Sequence, residues 1–303
     1  MPFCGVLPES ASLRAPARVI VFGATGWIGS ATLAALRRRG VDGVGAARPD
    51  VDLLDPPSLH RAIAGATTIV HAASYTGPDP SRCDLVNRVG TLNLLDAAAR
   101  HDIRSVVYVS TTGVYGMGPH NALGEDEIEP VPETPISASR LAADTAVRAY
   151  GGTAVRTAFV YGDGDRWFFP GLRHILGRLG AHVNHGDALV SVIQIDDLAT
   201  LLAALATHPE QGTFHAAEPT PITVRHAAQA AGCPTLPSLS LPTALAAAKS
   251  KGLTPRELDL ISHNHHYSTT PIWQATSLHP THTFRRDHEQ IVQSFLGDTE
   301  ISS

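Results

Sequence analysis

Arg18-Val19-Ile20-Val21-Phe22-Gly23-Ala24-Thr25-Gly26-Trp27-Ile28-Gly29 is a β-branched run that ends in a turn punctuated by glycine. The run reads as a buried strand, and residues 27–39 read as a helix that Gly40 stops. Glycines three residues apart let the backbone turn tightly and approach a pyrophosphate, which then rests on the helix N-terminus. Alone, that spacing is weak evidence. Placed between a strand and a helix, it predicts a nucleotide-binding turn carried by Gly23, Thr25, Gly26, Trp27, Ile28 and Gly29.

Strand and helix keep alternating downstream. Residues 44–47, 67–71, 105–110 and 153–160 read as strands, and 58–64, 81–100 and 137–150 as helices, with a Gly-, Pro- and acid-rich loop over 113–133. The 81–100 stretch reads as one amphipathic helix with Val86, Val89, Leu92, Leu94 and Leu95 on its apolar side. Such alternation predicts an α/β fold, a doubly wound parallel sheet covered on both faces. After Tyr161 prolines punctuate short elements. The expected division is therefore a disordered leader (1–17), a nucleotide-binding domain (18–160) and a smaller substrate-binding lobe (161–303) packed against it.

Composition narrows the function classes. With 303 residues, 43% hydrophobic and 17% charged, the chain suits one large or two closely packed globular units. A net charge of −5 gives no reason to expect nucleic acid or an anionic membrane as partner. Cys4, Cys83 and Cys233 lack paired spacing, which points to a reducing compartment. No apolar run reaches the roughly 18 residues of a membrane span, and the leader lacks an apolar core, so a cytoplasmic location is expected. The expected partner is a small molecule, bound by a monomer or homodimer.

The residue after the second strand argues for NADPH/NADP+. An acid there would take the ribose 2′-hydroxyl of NAD, whereas this chain carries Arg48, which suits a 2′-phosphate, with Asp50 close by. Asp52 and Leu53 are placed to flank the adenine; Asp52 reads equally as a cap near Pro56.

Several motifs together resemble the extended short-chain dehydrogenase/reductases of the epimerase, dehydratase and ketoreductase kind. They are the 23–29 glycine turn, His71-Ala72-Ala73-Ser74, the 87–95 helix segment, the 107–116 strand end, 155–162 and 193–199. The resemblance spans 18–296 and implies a Rossmann fold in which the backbone of Ala72, Ala73 and Ser74 passes along the cofactor. It implies that Ala158 and Phe159 hold the nicotinamide amide, with Thr157 replacing the usual proline. It places the catalytic hydroxyl at Thr111, with Ser110 as the neighbouring candidate. Where that family carries Tyr-x-x-x-Lys, this chain has Ile136 and Arg140. Ile136 can only form a wall of the substrate cavity. Arg140 keeps the positive charge and can bind ribose, but a guanidinium does not give up a proton.

Other acids come into question: His174, His182 and His185 beyond Tyr161, and the phenols of Tyr115 and Tyr161. The histidines at 263, 265, 266, 279, 282 and 288 fit no metal-ligand spacing, so no metal is expected and a structural role is favoured. Three functions stay open. One is an NADPH-dependent oxidoreductase acting on a ketone, without the usual acid–base pair. Another is an NADP-binding regulator or scaffold that has lost catalysis. An epimerase or dehydratase is weakest, because those reactions begin by oxidising an alcohol, which needs a base to take its proton while the nicotinamide takes hydride. The missing Tyr and Lys resemble the atypical ketoreductases of angucyclinone antibiotic biosynthesis, which implies an aromatic polyketide substrate that can lend a phenol proton.

Overall fold

The computed structural model describes residues 17–287. The expectations for the leader through residue 16, for Cys4, and for the final helix from His288 onward lie outside the described residues.

The glycine-rich stretch folds as β1 (Arg18–Phe22), a turn, and α1 (Trp27–Arg38), with Gly40 at φ +67° just beyond the helix. Then follow β2 (Asp42–Ala46), α2 (Pro56–Ala62), β3 (Thr68–His71), α3 (Pro80–Cys83) and α4 (Gly90–Arg100). Next come β4 (Ser105–Thr111), β5 (His120–Leu123), α5 (Pro135–Ala149), β6 (Thr153–Thr157) and β7 (Phe159–Tyr161). The second half adds α6 (Phe168–Leu179), β8 (His182–Val183), β9 (Leu189–Val190), β10 (Val192–Gln194), α7 (Ile195–Thr207) and β11 (Gly212–Ala216). It closes with β12 (Ile222–Thr223), α8 (Val224–Ala230), β13 (Ser238–Leu239), α9 (Leu241–Ala248), α10 (Pro255–Ser262), β14 (His265–Tyr267) and α11 (Thr270–Thr276).

Among the described residues, β2, β1, β3, β4, β6 and β11 form one parallel six-stranded sheet in that order. Period-two alternation sends Val19, Val21, Val107 and Val109 to one face, against α1 and α7. It sends Ile20, Phe22, Val106 and Tyr108 to the other, against α4 and α5. The sheet is therefore covered on both faces, a doubly wound Rossmann-type fold.

Four expectations change. The 81–100 helix is interrupted by a π-helical turn over Asp84–Val89, and Leu92, expected on the apolar side, is 43% exposed. The loop over 113–133 contains β5. The 153–160 strand breaks at Ala158, whose N–H donates to the Ala216 carbonyl, while the Phe159 N–H donates to Ser191 beside β10. There the chain leaves one sheet for another. Nor does the division fall cleanly after residue 160, since α7 packs on α1 and β11 pairs with β6. The rest of the second half surrounds its own apolar core of Phe169, Leu176, Ala227 and Ile261.

Candidate functional site

The turn after β1 owes its shape to two glycines. A Cβ on Gly29 would overlap the Gly23 carbonyl, and one on Gly23, at φ +79°, would lie 2.7 Å from the Ala73 nitrogen. Gly26 differs: only the Gly23 carbonyl comes within 4 Å of where its Cβ would be, at 3.2 Å, so its open side faces a trough. Gly26 is also the N-cap of α1, which has no side-chain cap and no acid in its first turn. The first N–H groups of α1 are thus left for an anion, and the cradle fits a pyrophosphate.

The trough has two halves that share Gly26, Ala72 and Ser74. The first, about 820 Å³, is walled by Thr25, Ala73, Arg48, Asp52 and Leu53, as the sequence led us to expect for the adenosine end. Arg48 is exposed, without a hydrogen bond or ion pair among the described residues, and free to meet a phosphate. Asp52 does not cap the helix at Pro56, whose N-cap is Asp55 without a side-chain hydrogen bond. Asp52 walls the recess, and its carboxylate accepts the Leu54 N–H at 2.9 Å in a local turn.

The second half is a cavity of about 540 Å³ between the sheet and α6, α8 and α10. Trp27, Ile28, Thr111, Ile136, Arg140, Ala158 and Phe159 all line it. Thr111 caps the following turn as well, its hydroxyl oxygen accepting the Gly113 N–H at 3.1 Å, which leaves its hydrogen to donate. One guanidinium nitrogen of Arg140 donates to the Val109 carbonyl at 2.9 Å, while its Nε is buried without a partner among the described residues. Arg140 also lines the second half, where its guanidinium fits a ribose hydroxyl.

Ser110 is a correction. It is fully buried, does not line the cavity, and donates to Asp144 of α5 at 2.8 Å. The cause is strand alternation, which gives Thr111 and Ser110 opposite faces of β4.

The alternative proton donors are corrected too. His174 and His185 are exposed, His182 is buried beside β13, and none of them lines the cavity. Tyr115 is buried, bonded to His215 at 2.5 Å and accepting from Arg156 at 2.7 Å, and burial pushes its phenol up. Tyr161 donates to the buried carboxylate of Glu218 at 2.6 Å, and burial raises it far more. Within the motif after β3, burial lowers His71 to about 4, with Arg140 adding to the effect, and its Nε2 meets the Thr91 hydroxyl at 2.9 Å. Across the described lining residues there is no carboxylate, histidine, phenol or thiol. His263 and His265 pair with Asp259 at 2.9 and 3.0 Å, ties that hold β14 in place. His282 pairs with Asp197.

Some residues that shape the site were not singled out from sequence. Asn87, turned inward by the π-helical turn, donates to the Tyr75 carbonyl and Ser139 and accepts from the Tyr75 N–H and Ser74. It fastens the strip along the trough to α5. Arg82 lies over the Tyr75 ring at 4.8 Å, and both border the adenosine recess, giving it a second guanidinium. Trp27, already part of the expected turn, takes a further role there: its indole donates to the Asp163 carbonyl at 2.8 Å, tying the glycine turn to the loop before α6. Buried Arg156 is paired with Asp144 at 2.9 Å beneath β4. Each is an isolated polar or aromatic residue in the sequence, and only the spacing of the pairs in space gives it a role.

A family model described as the NAD dependent epimerase/dehydratase family matches residues 19–217. The sterol-4-alpha-carboxylate 3-dehydrogenase of Saccharomyces cerevisiae is 35% identical over 139 residues, 41% of this chain and 39% of that protein. The chain thus spans well under half the length of that relative. The dTDP-4-dehydrorhamnose reductase of Mycobacterium tuberculosis is 32% identical over 218 residues, 66% of this chain and 69% of that one. Among solved structures, a short-chain dehydrogenase/reductase superfamily protein from Agrobacterium tumefaciens with bound NAD superposes with a TM-score of 0.74. It covers 94% of this chain and 99% of its own at 21% identity.

Proposed function

This chain belongs to the NAD dependent epimerase/dehydratase family, and from that premise we propose that it is an NADPH-dependent ketoreductase. Its substrate class would be a polycyclic aromatic polyketide, an angucyclinone on the way to an antibiotic. The absence of Tyr and Lys in this frame resembles the angucyclinone C-7 ketoreductase of simocyclinone biosynthesis. One observation carries the reading: the described lining of the cavity is apolar and hydroxyl-bearing, with Ile136 at the proton-donor position and no titratable acid or base.

That lining disfavours the other activities of the family. Epimerisation and dehydration begin by removing a proton from an alcohol, which needs a base. A nucleotide sugar would bring a diphosphate, and the single charge among the described lining residues is Arg140, already engaged with the Val109 carbonyl. Reduction asks less, because a bound nicotinamide supplies the hydride and one proton must follow. The dTDP-4-dehydrorhamnose reductase relative is a reductase by its name.

Each residue then has a task. The Gly26 turn and the first amides of α1 receive the pyrophosphate, Arg48 the 2′-phosphate, and the guanidinium of Arg140 a ribose hydroxyl. Thr111 donates its free hydrogen to the substrate carbonyl. Ile136 excludes water and presents an apolar wall. The proton comes from a phenol beside the carbonyl of the substrate itself. The test is loss of NADPH absorbance with an aromatic ketone that carries a neighbouring phenol. Consumption supports the reading, and tight NADPH binding without turnover would leave the scaffold reading instead.

A further inference from the structure

Helix α6 forms one wall of the substrate cavity, and along it Trp167, Gly171 and Ile175 recur one turn apart. The Gly171 N–H donates to the Trp167 carbonyl at 3.0 Å, so the two lie one above the other on the same face. Trp167 is 68% exposed although its side chain is large and apolar. The segment that presents it is held firmly. Its N–H and those of Phe168 and Phe169 donate to the buried carboxylate of Asp165, at 2.8, 2.9 and 2.9 Å.

Gly171 has no reason of its own to be glycine. Its φ lies outside the left-handed region, and a Cβ added to it would meet nothing within 4 Å. At Gly43, Gly45, Gly90 and Gly152, by contrast, the added carbon would press on neighbouring atoms at 2.6 to 3.2 Å. Glycine within a helix is unfavourable relative to alanine. Gly171 lines the cavity, as do its helix neighbour one turn back, Trp167, and the stacked rings of Phe159 and Phe168, 4.9 Å apart and 24° from parallel.

We propose that Gly171 is the specificity-determining residue of this cavity: its missing side chain leaves a notch, bordered by Trp167, that admits the edge of a flat, fused-ring ketone. The proposal rests on the ketoreductase reading for its substrate class. It adds which residue sets the size limit. Filling the notch should exclude a tricyclic ketone and spare a monocyclic one. Gly177, on the same helix and also facing open space, is exposed and does not line the cavity, so it serves as the control.

The experiment measures binding of 1,8-dihydroxyanthraquinone and of 2-hydroxyacetophenone to the NADP+-loaded protein, with NADPH oxidation followed in parallel. Gly171→Leu is expected to weaken the tricyclic probe by roughly tenfold or more, to leave the monocyclic one unchanged, and to keep the melting temperature. Gly177→Leu should match the wild type with both. If Gly171→Leu does not fold, Gly171→Ala is read in its place and is expected to raise the melting temperature while weakening the tricyclic probe alone. Equal binding of the tricyclic probe by Gly171→Leu and wild type, equal losses for both probes, or no binding of the tricyclic probe to the wild type would overturn the proposal. Failure of the ketoreductase reading looks different: binding discriminates as expected while the wild type consumes no NADPH with either ketone.

Discussion

Arg48 stands exposed at the rim of the recess beside the glycine turn, two residues beyond β2, where the proposed reading puts the 2′-phosphate. Arg48→Ala is expected to raise KM for NADPH by the equivalent of about 1.5–3 kcal/mol, the worth of one charge-assisted contact to phosphate. KM for NADH should change little. Steady-state kinetics with both cofactors check this, and equal effects would remove Arg48 from the 2′-phosphate. Thr111 contributes one neutral hydrogen bond, so Thr111→Ala should slow turnover by about 0.5–1.5 kcal/mol. A loss of several orders of magnitude in kcat would place Thr111 in a proton relay. The structure brings the glycine turn, Arg48, Thr111, Ile136 and Arg140 to one trough; the turn and Arg48 were legible from their distance to a strand end, whereas Thr111, Ile136 and Arg140 were picked out only through the family resemblance. Ser110 was misread because proximity in sequence cannot choose between the two faces of a strand, and in β4 that choice sends its hydroxyl to Asp144.

At the scale of elements, the expected boundaries held to within a residue in β1 and β4, where a continuous apolar run buried on both faces decided them, and in α1, where one apolar face did. They failed where a polar residue interrupts the pattern for a purpose. The π-helical turn over Asp84–Val89 rotates Asn87 inward to clamp Ser74, Tyr75 and Ser139, and an amphipathic wheel averages that rotation away. Similarly, β6 and β7 read as one strand because both are apolar, although the chain changes sheets between them. The end of the described chain is held by another buried polar group, Glu218, which accepts from Tyr161 and from the Phe284 N–H. Burial pushes its carboxyl up to about 7, from an ordinary value of 4.5, against the pull of those two hydrogen bonds. Between these values the folded protein keeps a proton that the unfolded chain has released. Its contribution to stability is therefore complete below about pH 4.5 and lost as the pH rises through about 7. His71 and His215, both lowered to about 4 by burial, act in the opposite sense over an overlapping range. The quantity to measure is thus the difference in unfolding free energy between wild type and Glu218→Gln. It should fall as the pH rises across that window and level off above it; a flat difference would mean that Glu218 is ionised in the fold throughout.

At the scale of the molecule, strands and helices from both halves of the chain wall one continuous trough. The parallel sheet supplies the cofactor half from its strand ends, and α6, α8 and α10 close an apolar chamber over the other half. Alternation of strand and helix made the first part readable from sequence alone. The chamber was not readable, since its walls come from segments far apart along the chain whose only common property is that they are apolar. The consequence is chemical: hydride and carbonyl would meet in a place where the described protein groups hold no proton to give. A phenol beside the carbonyl would already share a hydrogen bond with it, and could pass its proton to the developing alkoxide with the advantage of intramolecularity. The phenolate left behind is stabilised by its ring, with the positive charge of Arg140 lining the same cavity. The direct test compares a free phenolic ketone with its O-methyl ether under single-turnover conditions, after binding of the ether has been measured separately. Rapid reduction of the phenol and a severe loss of rate for a bound ether are the predicted result; equal rates for the two bound ketones would contradict it.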